Sequence, residues 1–249
     1  MSSSAVAATL LLSLFDPSGD LDGDGSYRLP ASLSADERLS LDLRSLEAFD
    51  DAGKLRLEVG FGGVANPLSS PAGFSVPYLD VFIKTRVGGQ TTLADSGFRT
   101  PINSGWQYHL ALTGFSQRLE RQLGEETRPS SVTGAVWPVK VQGSKLVIQT
   151  DLPAGKYGYW VMSRIYDPLS KGGFKVPSSA GGPYDLYARL PQSPPVVDVL
   201  LEGDHRAVYT TREVPELGEV ADRRPLILLS VGGAALLVAL LATWMVWRR

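Results

Sequence analysis

The chain is written largely in runs where apolar and polar residues alternate, a period of two that belongs to half-buried β-strands. Leu10–Phe15 is the first apolar run, and Arg38–Leu46 (RLSLDLRSL) places Leu39, Leu41 and Leu43 on one face. Lys54–Phe61 (KLRLEVGF) alternates again after a turn at Asp50–Gly53, which predicts a hairpin with one wet face. Trp106–Phe115 sets Trp106, Tyr108, Leu110 and Leu112 against Gln107, His109 and Thr113. Tyr78–Arg86, Lys145–Thr150, Lys156–Tyr166, Tyr184–Leu190, Val196–Leu201 and Arg206–Thr211 read as further strands. Ser116–Arg128, short and highly charged, is the one segment before the C-terminus that reads as a helix, and Gly62–Pro77 and Gly88–Gly105 read as irregular connections. About ten short strands at this spacing predict an all-β fold, a β-sandwich or jelly roll, over residues 1–211.

The pattern changes at the C-terminus. Residues 212–225 are polar and contain Pro215, which predicts a short stalk. Leu226–Trp247 then runs for 22 residues without a charge. As a helix it would extend about 33 Å, enough for a hydrocarbon core of about 30 Å. A single transmembrane helix is therefore expected, with Trp244 and Trp247 at one interface and a basic tail, Arg248 and Arg249. Two arginines flank each side, Arg223 with Arg224 and Arg248 with Arg249, so charge alone does not orient the span. The expected location is the cell membrane, single-pass, with residues 1–211 outside the cytoplasm.

Composition narrows the chemistry. The 249 residues include 26 glycines and 17 prolines, which favours frequent turns over long helices, and the net charge is −2 with no basic stripe. Nucleic acid is not an expected partner. There is no cysteine, so disulfides, thiolate metal sites and cysteine nucleophiles are excluded. Two histidines, His109 and His205, cannot make a three-histidine site, and no G-x-S-x-G, P-loop or H-E-x-x-H occurs. The expectation is a protein without catalysis of its own.

One stretch does carry chemistry. In DPSGDLDGDGSY, Asp16, Asp20, Asp22 and Asp24 stand among Gly19, Gly23 and Gly25. So many like charges in a tight loop repel one another unless a cation sits between them, and oxygen donors of this kind suit calcium. Asp20, Asp22, Asp24 and Gly25 match the opening of an EF-hand loop, but Ala31 stands at its twelfth position and the approach is a strand, so a helix-loop-helix site is not expected. A solvated acidic turn with no ion is the alternative. For a sugar ligand, aromatic faces flanked by polar groups are needed. Trp106, Trp137, Tyr157 and Tyr159 are the candidates, with Trp137, before Pro138, the best placed to lie in a loop. Core packing is the competing role for each of them.

Four segments together resemble a known family: FDPSGDLDGDGSYRLP, ANPLSSPAGFSVPYLDVFIKT, GGQTTLADSGFRT with Trp106 after it, and LPAGKYGYWVMSRIYDP. They are collinear over Phe15–Tyr209 and are similar to the C-terminal domain of glucodextranases and amylopullulanases, a DOMON-like β-sandwich. The resemblance implies a sandwich, calcium at the first loop, and a surface module for α-glucan or envelope polysaccharide. It departs at Leu21, where the family commonly carries another acid, and no hydrolase domain accompanies the module. Two other roles stay open beside it. DOMON-type relatives include b-type haem electron-transfer domains, for which His109 and Met162 would be the candidates, and a structural module contacting envelope components or a protein partner is the third.

Overall fold

A computed structural model describes residues 7–123, 130–132, 137–190 and 192–220. The strands are β1 (Thr9–Phe15), β2 (Leu43–Asp51), β3 (Lys54–Phe61), β4 (Pro77–Lys84), β5 (Thr92–Leu93), β6 (Phe98–Arg99), β7 (Tyr108–Leu112), β8 (Gln117–Arg121), β9 (Ser130–Ser131), β10 (Val139–Gln142), β11 (Lys145–Pro153), β12 (Gly158–Ile165) and β13 (Asp198–Val199). Two short helices, α1 (Ala35–Leu39) and α2 (His205–Thr211), complete the described elements. One antiparallel sheet has the order β1-β2-β3-β11-β10 and the other β13-β12-β4-β7-β8-β9, with β5-β6 as a separate hairpin.

Alternation explains how the sheets stack. Leu46, Ala48, Leu55, Leu57, Val59, Leu146 and Ile148 point from the first sheet into a core that Leu79, Val81, Ile83, Leu110 and Val161 of the second sheet also enter. Fully burying one such aliphatic side chain contributes roughly 1.5–3 kcal/mol. Every residue of β4 and of β12 is buried, because the second sheet is covered on both faces. Its outer face carries Phe82, Trp106, Trp160 and Met162 under a layer that includes Leu93, Phe98, Val208 and Tyr209. The β2–β3 hairpin turns at Ala52 and Gly53, both at positive φ, the mirror-type turn whose twist matches the strands it joins.

The structure departs from the sequence reading in five places. Gln117–Arg121 is strand β8, not a helix, with Leu119 buried and charged neighbours outward. Charge density there marks a strand near a sheet edge, where such residues discourage further pairing. Arg206–Thr211, expected as a strand for its β-branched residues, lies in α2. The Asp204 carboxylate caps its first turn, and His205, Val208 and Tyr209 form a buried face at helical spacing. Arg38–Leu46 divides between α1 and the start of β2, and Tyr184–Leu190 contributes only bridges at Tyr187. The expected stalk begins as part of the sandwich: Val214 and Leu217 are buried, Leu217 pairs with Tyr159, and Lys84 binds Glu216 at 2.5 Å. Residues 226–247, the expected membrane span, lie outside the described residues. Among the described residues no helix is long and apolar enough to cross a membrane.

Candidate metal centre

The chain ends β1 at Phe15 and enters the acidic loop with Asp16, whose amide is held by the Arg44 carbonyl at 2.9 Å. Gly19, at φ +80°, turns the loop back so that its N–H donates to both oxygens of Asp42 at 3.3 Å. A side chain at Gly23 would strike the Tyr27 ring, its Cβ lying 2.7 Å from Cγ, so the loop closes only with glycine there. The result brings Asp16 and Asp20 to Asp42, just before β2, to Asp198, the first residue of β13, and to His205, the first of α2. One ligand atom from each of Asp16, Asp20 and His205 lies within 4.8 Å of the others, and the same holds for Asp20, Asp42 and Asp198.

The carboxylates differ in how far they are tied down. The Leu201 N–H donates to Asp16 Oδ1 at 3.0 Å and the Leu43 N–H to Asp198 Oδ2 at 2.7 Å. Arg44 pairs with Asp42 at 2.8 Å, and His205 Nε2 stands 3.2 Å from both Asp16 Oδ1 and Asp20 Oδ2. Asp16 Oδ2, Asp20 Oδ1 and Asp198 Oδ1 are buried without a hydrogen-bond partner. Burial pushes the carboxyls of Asp16, Asp20 and Asp42 above the usual carboxylate range. Asp198 is driven well above it, by burial first and then by repulsion from Asp16 and Asp20. For His205 burial opposes the charge, but its hydrogen bond to Asp16 and the attraction of Asp20 prevail and lift it to about 9.

This donor set fits a hard divalent cation. Four carboxyl groups face two basic side chains, Arg44 and His205. Buried oxygens so placed are relieved by protonation, the direction in which burial already pushes them, or by a divalent ion between them. The other two acids of the loop point elsewhere. Asp22 accepts from Arg206 of α2 at 2.7 Å on the surface, and Asp24 accepts from the Ser26 N–H at 2.9 Å, closing its own turn. Asp42, Asp198 and His205 were not singled out by the sequence reading. The available signal was a lone acid inside an apolar alternating run, as in LSLDL and VVDVL.

Three of the four expected sugar-binding aromatics lie in the interior, Trp137 included, which is therefore not a loop aromatic on the surface. Trp106, Trp137 and Tyr159 are 0%, 2% and 1% exposed. Their polar ends explain how the two tryptophans are buried: the Trp106 indole donates to the Thr92 carbonyl at 2.9 Å and the Trp137 indole to Asp151 at 2.7 Å. Tyr157 alone of the four is half-buried. Exposed aromatic surface lies instead at Phe15, at Tyr184 and at Phe115, which stacks on Tyr166 at 5.6 Å.

His109 is also fully engaged. Its Nε2 meets Asp80 at 2.8 Å and its Nδ1 meets Glu120 at 3.1 Å, while the ring stacks on Phe82 at 4.0 Å. Asp80 in turn pairs with Arg164 at 2.7 Å, so the imidazole belongs to a buried ion network and offers no free nitrogen to iron. Met162 sits across from Asp80 in the same sheet, fully buried on β12.

No curated protein sequence matches the chain. The family model of the C-terminal, SLH-like binding module of glucodextranase matches residues 11–206, which takes in both sheets and all the acids of the cluster. The chain therefore belongs to the family of the SLH-like C-terminal binding module of glucodextranase.

Proposed function

We propose that this chain is a non-catalytic, carbohydrate-binding surface module, stabilised by calcium and held at the membrane by residues 226–247. The observation that carries the binding role is family membership over residues 11–206, a family of binding modules. The name glucodextranase points to glucodextran and related α-glucans as ligands, with envelope polysaccharide as the wider class. Calcium is supported by the partnerless oxygens of Asp16, Asp20 and Asp198, which with Asp42 would hold the ion. The ion would supply positive charge and fix the loop against β2, β13 and α2. Arg44 and His205 balance part of the acids' charge and orient Asp42 and Asp16. Anchoring is supported by the 22 uncharged residues of Leu226–Trp247.

The test is a glycan array on the full chain in detergent, with calcium and with a chelator. Retention of α-glucans or envelope polysaccharides in calcium, reduced by the chelator, is expected. Absence of polysaccharide retention in either buffer would reject the binding role.

A further inference from the structure

A pocket of about 250 Å³ opens between β1 and the segment that follows β11, away from the acidic cluster. Its walls are Leu11 and Leu12 of β1 with Tyr157 and Tyr159, and Lys156 and Glu219 are exposed at its rim. Tyr159 is 1% exposed, yet its hydroxyl has no hydrogen-bond partner. Buried phenols normally find one, as Tyr27 and Tyr209 do on the carbonyls of Pro194 and Val196. The hydroxyl of Tyr157 is already given to the Pro153 carbonyl at 2.8 Å, so that residue offers its ring and not its oxygen. Two glycines keep the walls in place. A Cβ on Gly218 would lie 2.7 Å from the Tyr157 carbonyl oxygen, and one on Gly155 would lie 3.1 Å from the Tyr157 ring.

We propose that this pocket binds one neutral pyranose residue, with the buried Tyr159 hydroxyl as its hydrogen-bonding anchor and Tyr157 as its apolar wall; the proposal rests on the carbohydrate-binding reading above. The volume falls below the roughly 300–1,000 Å³ of drug-sized sites, which sets the limit at a single ring. A sugar joins an apolar C–H face to hydroxyls that both donate and accept, which is what a ring wall beside an unpaired phenol requires. Charges of both signs at the rim, Lys156 and Glu219, disfavour a strongly ionic ligand, which would meet one like charge whichever its sign. Hydroxyl groups satisfy both.

Titration calorimetry on the full chain in calcium buffer, with glucose, maltose, isomaltose and dextran as probes, tests this. Tyr159→Phe keeps the ring and removes the anchor, so sugar affinity should fall about 2- to 10-fold. The melting temperature of that variant should hold or rise, since an unpaired buried hydroxyl is lost, and this shows that the variant folds. Tyr157→Ala should weaken binding as well. Sugar binding by the parent that both substitutions leave unchanged would overturn the pocket while carbohydrate binding stands. Failure of the parent to bind any of these sugars or dextran, while the array shows retention of another polysaccharide, would overturn the pocket alone, and failure in both assays would remove both.

Discussion

Replacing Asp198 by asparagine should make the protein more stable without calcium and less responsive to it. Asp198 is 1% exposed, and its Oδ1 has no hydrogen-bond partner and lies 3.9 Å from His205 Nδ1, while Oδ2 accepts from the Leu43 amide. An amide keeps an oxygen for Leu43 but removes a charge that burial, Asp16 and Asp20 all oppose. Relief of that opposition should raise the melting temperature in chelator. With calcium the order reverses. At 100 times its dissociation constant an ion stabilises by about 2.7 kcal/mol, which is about 5–11 °C for the parent. The variant, one carboxylate short, should lose most of that increment. Differential scanning fluorimetry in chelator and across a calcium series reads both effects. A variant that melts below the parent in chelator yet keeps the full calcium increment would refute the assignment of Asp198 to the cation.

Asp22→Ala should leave the calcium increment intact, because Asp22 pairs with Arg206 on the surface and not with the cluster. The same fluorimetry, run as a calcium series, checks it. The buried network of Asp80, His109, Glu120 and Arg164 should make stability depend on pH. Burial opposes the His109 charge, but its hydrogen bonds to Asp80 and Glu120 raise its pKa above the ordinary 6.5. The stability this adds is complete below about pH 6.5 and is lost as pH rises through the higher folded value. The melting temperature, followed from pH 6 to pH 9 in constant calcium, should therefore carry a declining component that His109→Gln removes. A profile unchanged by that substitution would show that His109 is not the group responsible.

How much of this could be read from the sequence depends on how local each cause is. The β2–β3 hairpin was legible because alternation and the Ala52-Gly53 turn act over a few residues. α2 was not, because Val208, Thr210 and Thr211 have strand propensity and the deciding forces are the Asp204 cap and burial of His205, Val208 and Tyr209. Half of the loop's acids turn into the cluster and half do not, and nothing within DPSGDLDGDGSY distinguishes them. The distinction comes from Arg206, which reaches Asp22 from α2, and from Asp42 and Asp198, which arrive through sheet pairing. Trp137 had the sequence context of a loop aromatic, but Asp151 supplies the acceptor that lets its indole be buried. The expected membrane span rests on length and hydropathy alone and lies outside the described residues.

The two sites share one strand. Leu11 and Leu12 line the pocket, and Asp16 follows the end of β1, so Leu12 and Asp16 are separated by about 13 Å of extended chain. β1 is the edge of its sheet, pairs only with β2, and is the least buried of the long strands. Its far end is held through Asp16 by Leu201 and by the acid cluster. Without a cation the repulsion among Asp16, Asp20 and Asp198 acts directly on that anchorage. A cation that removed the repulsion would hold β1 in register and with it the Leu11–Leu12 wall of the proposed pocket. Linkage then requires the reverse, that a sugar pressing on this wall favours the cation-bound state by the same free energy. Calcium in this module is thus expected to act on ligand affinity through an edge strand, and not by touching the ligand.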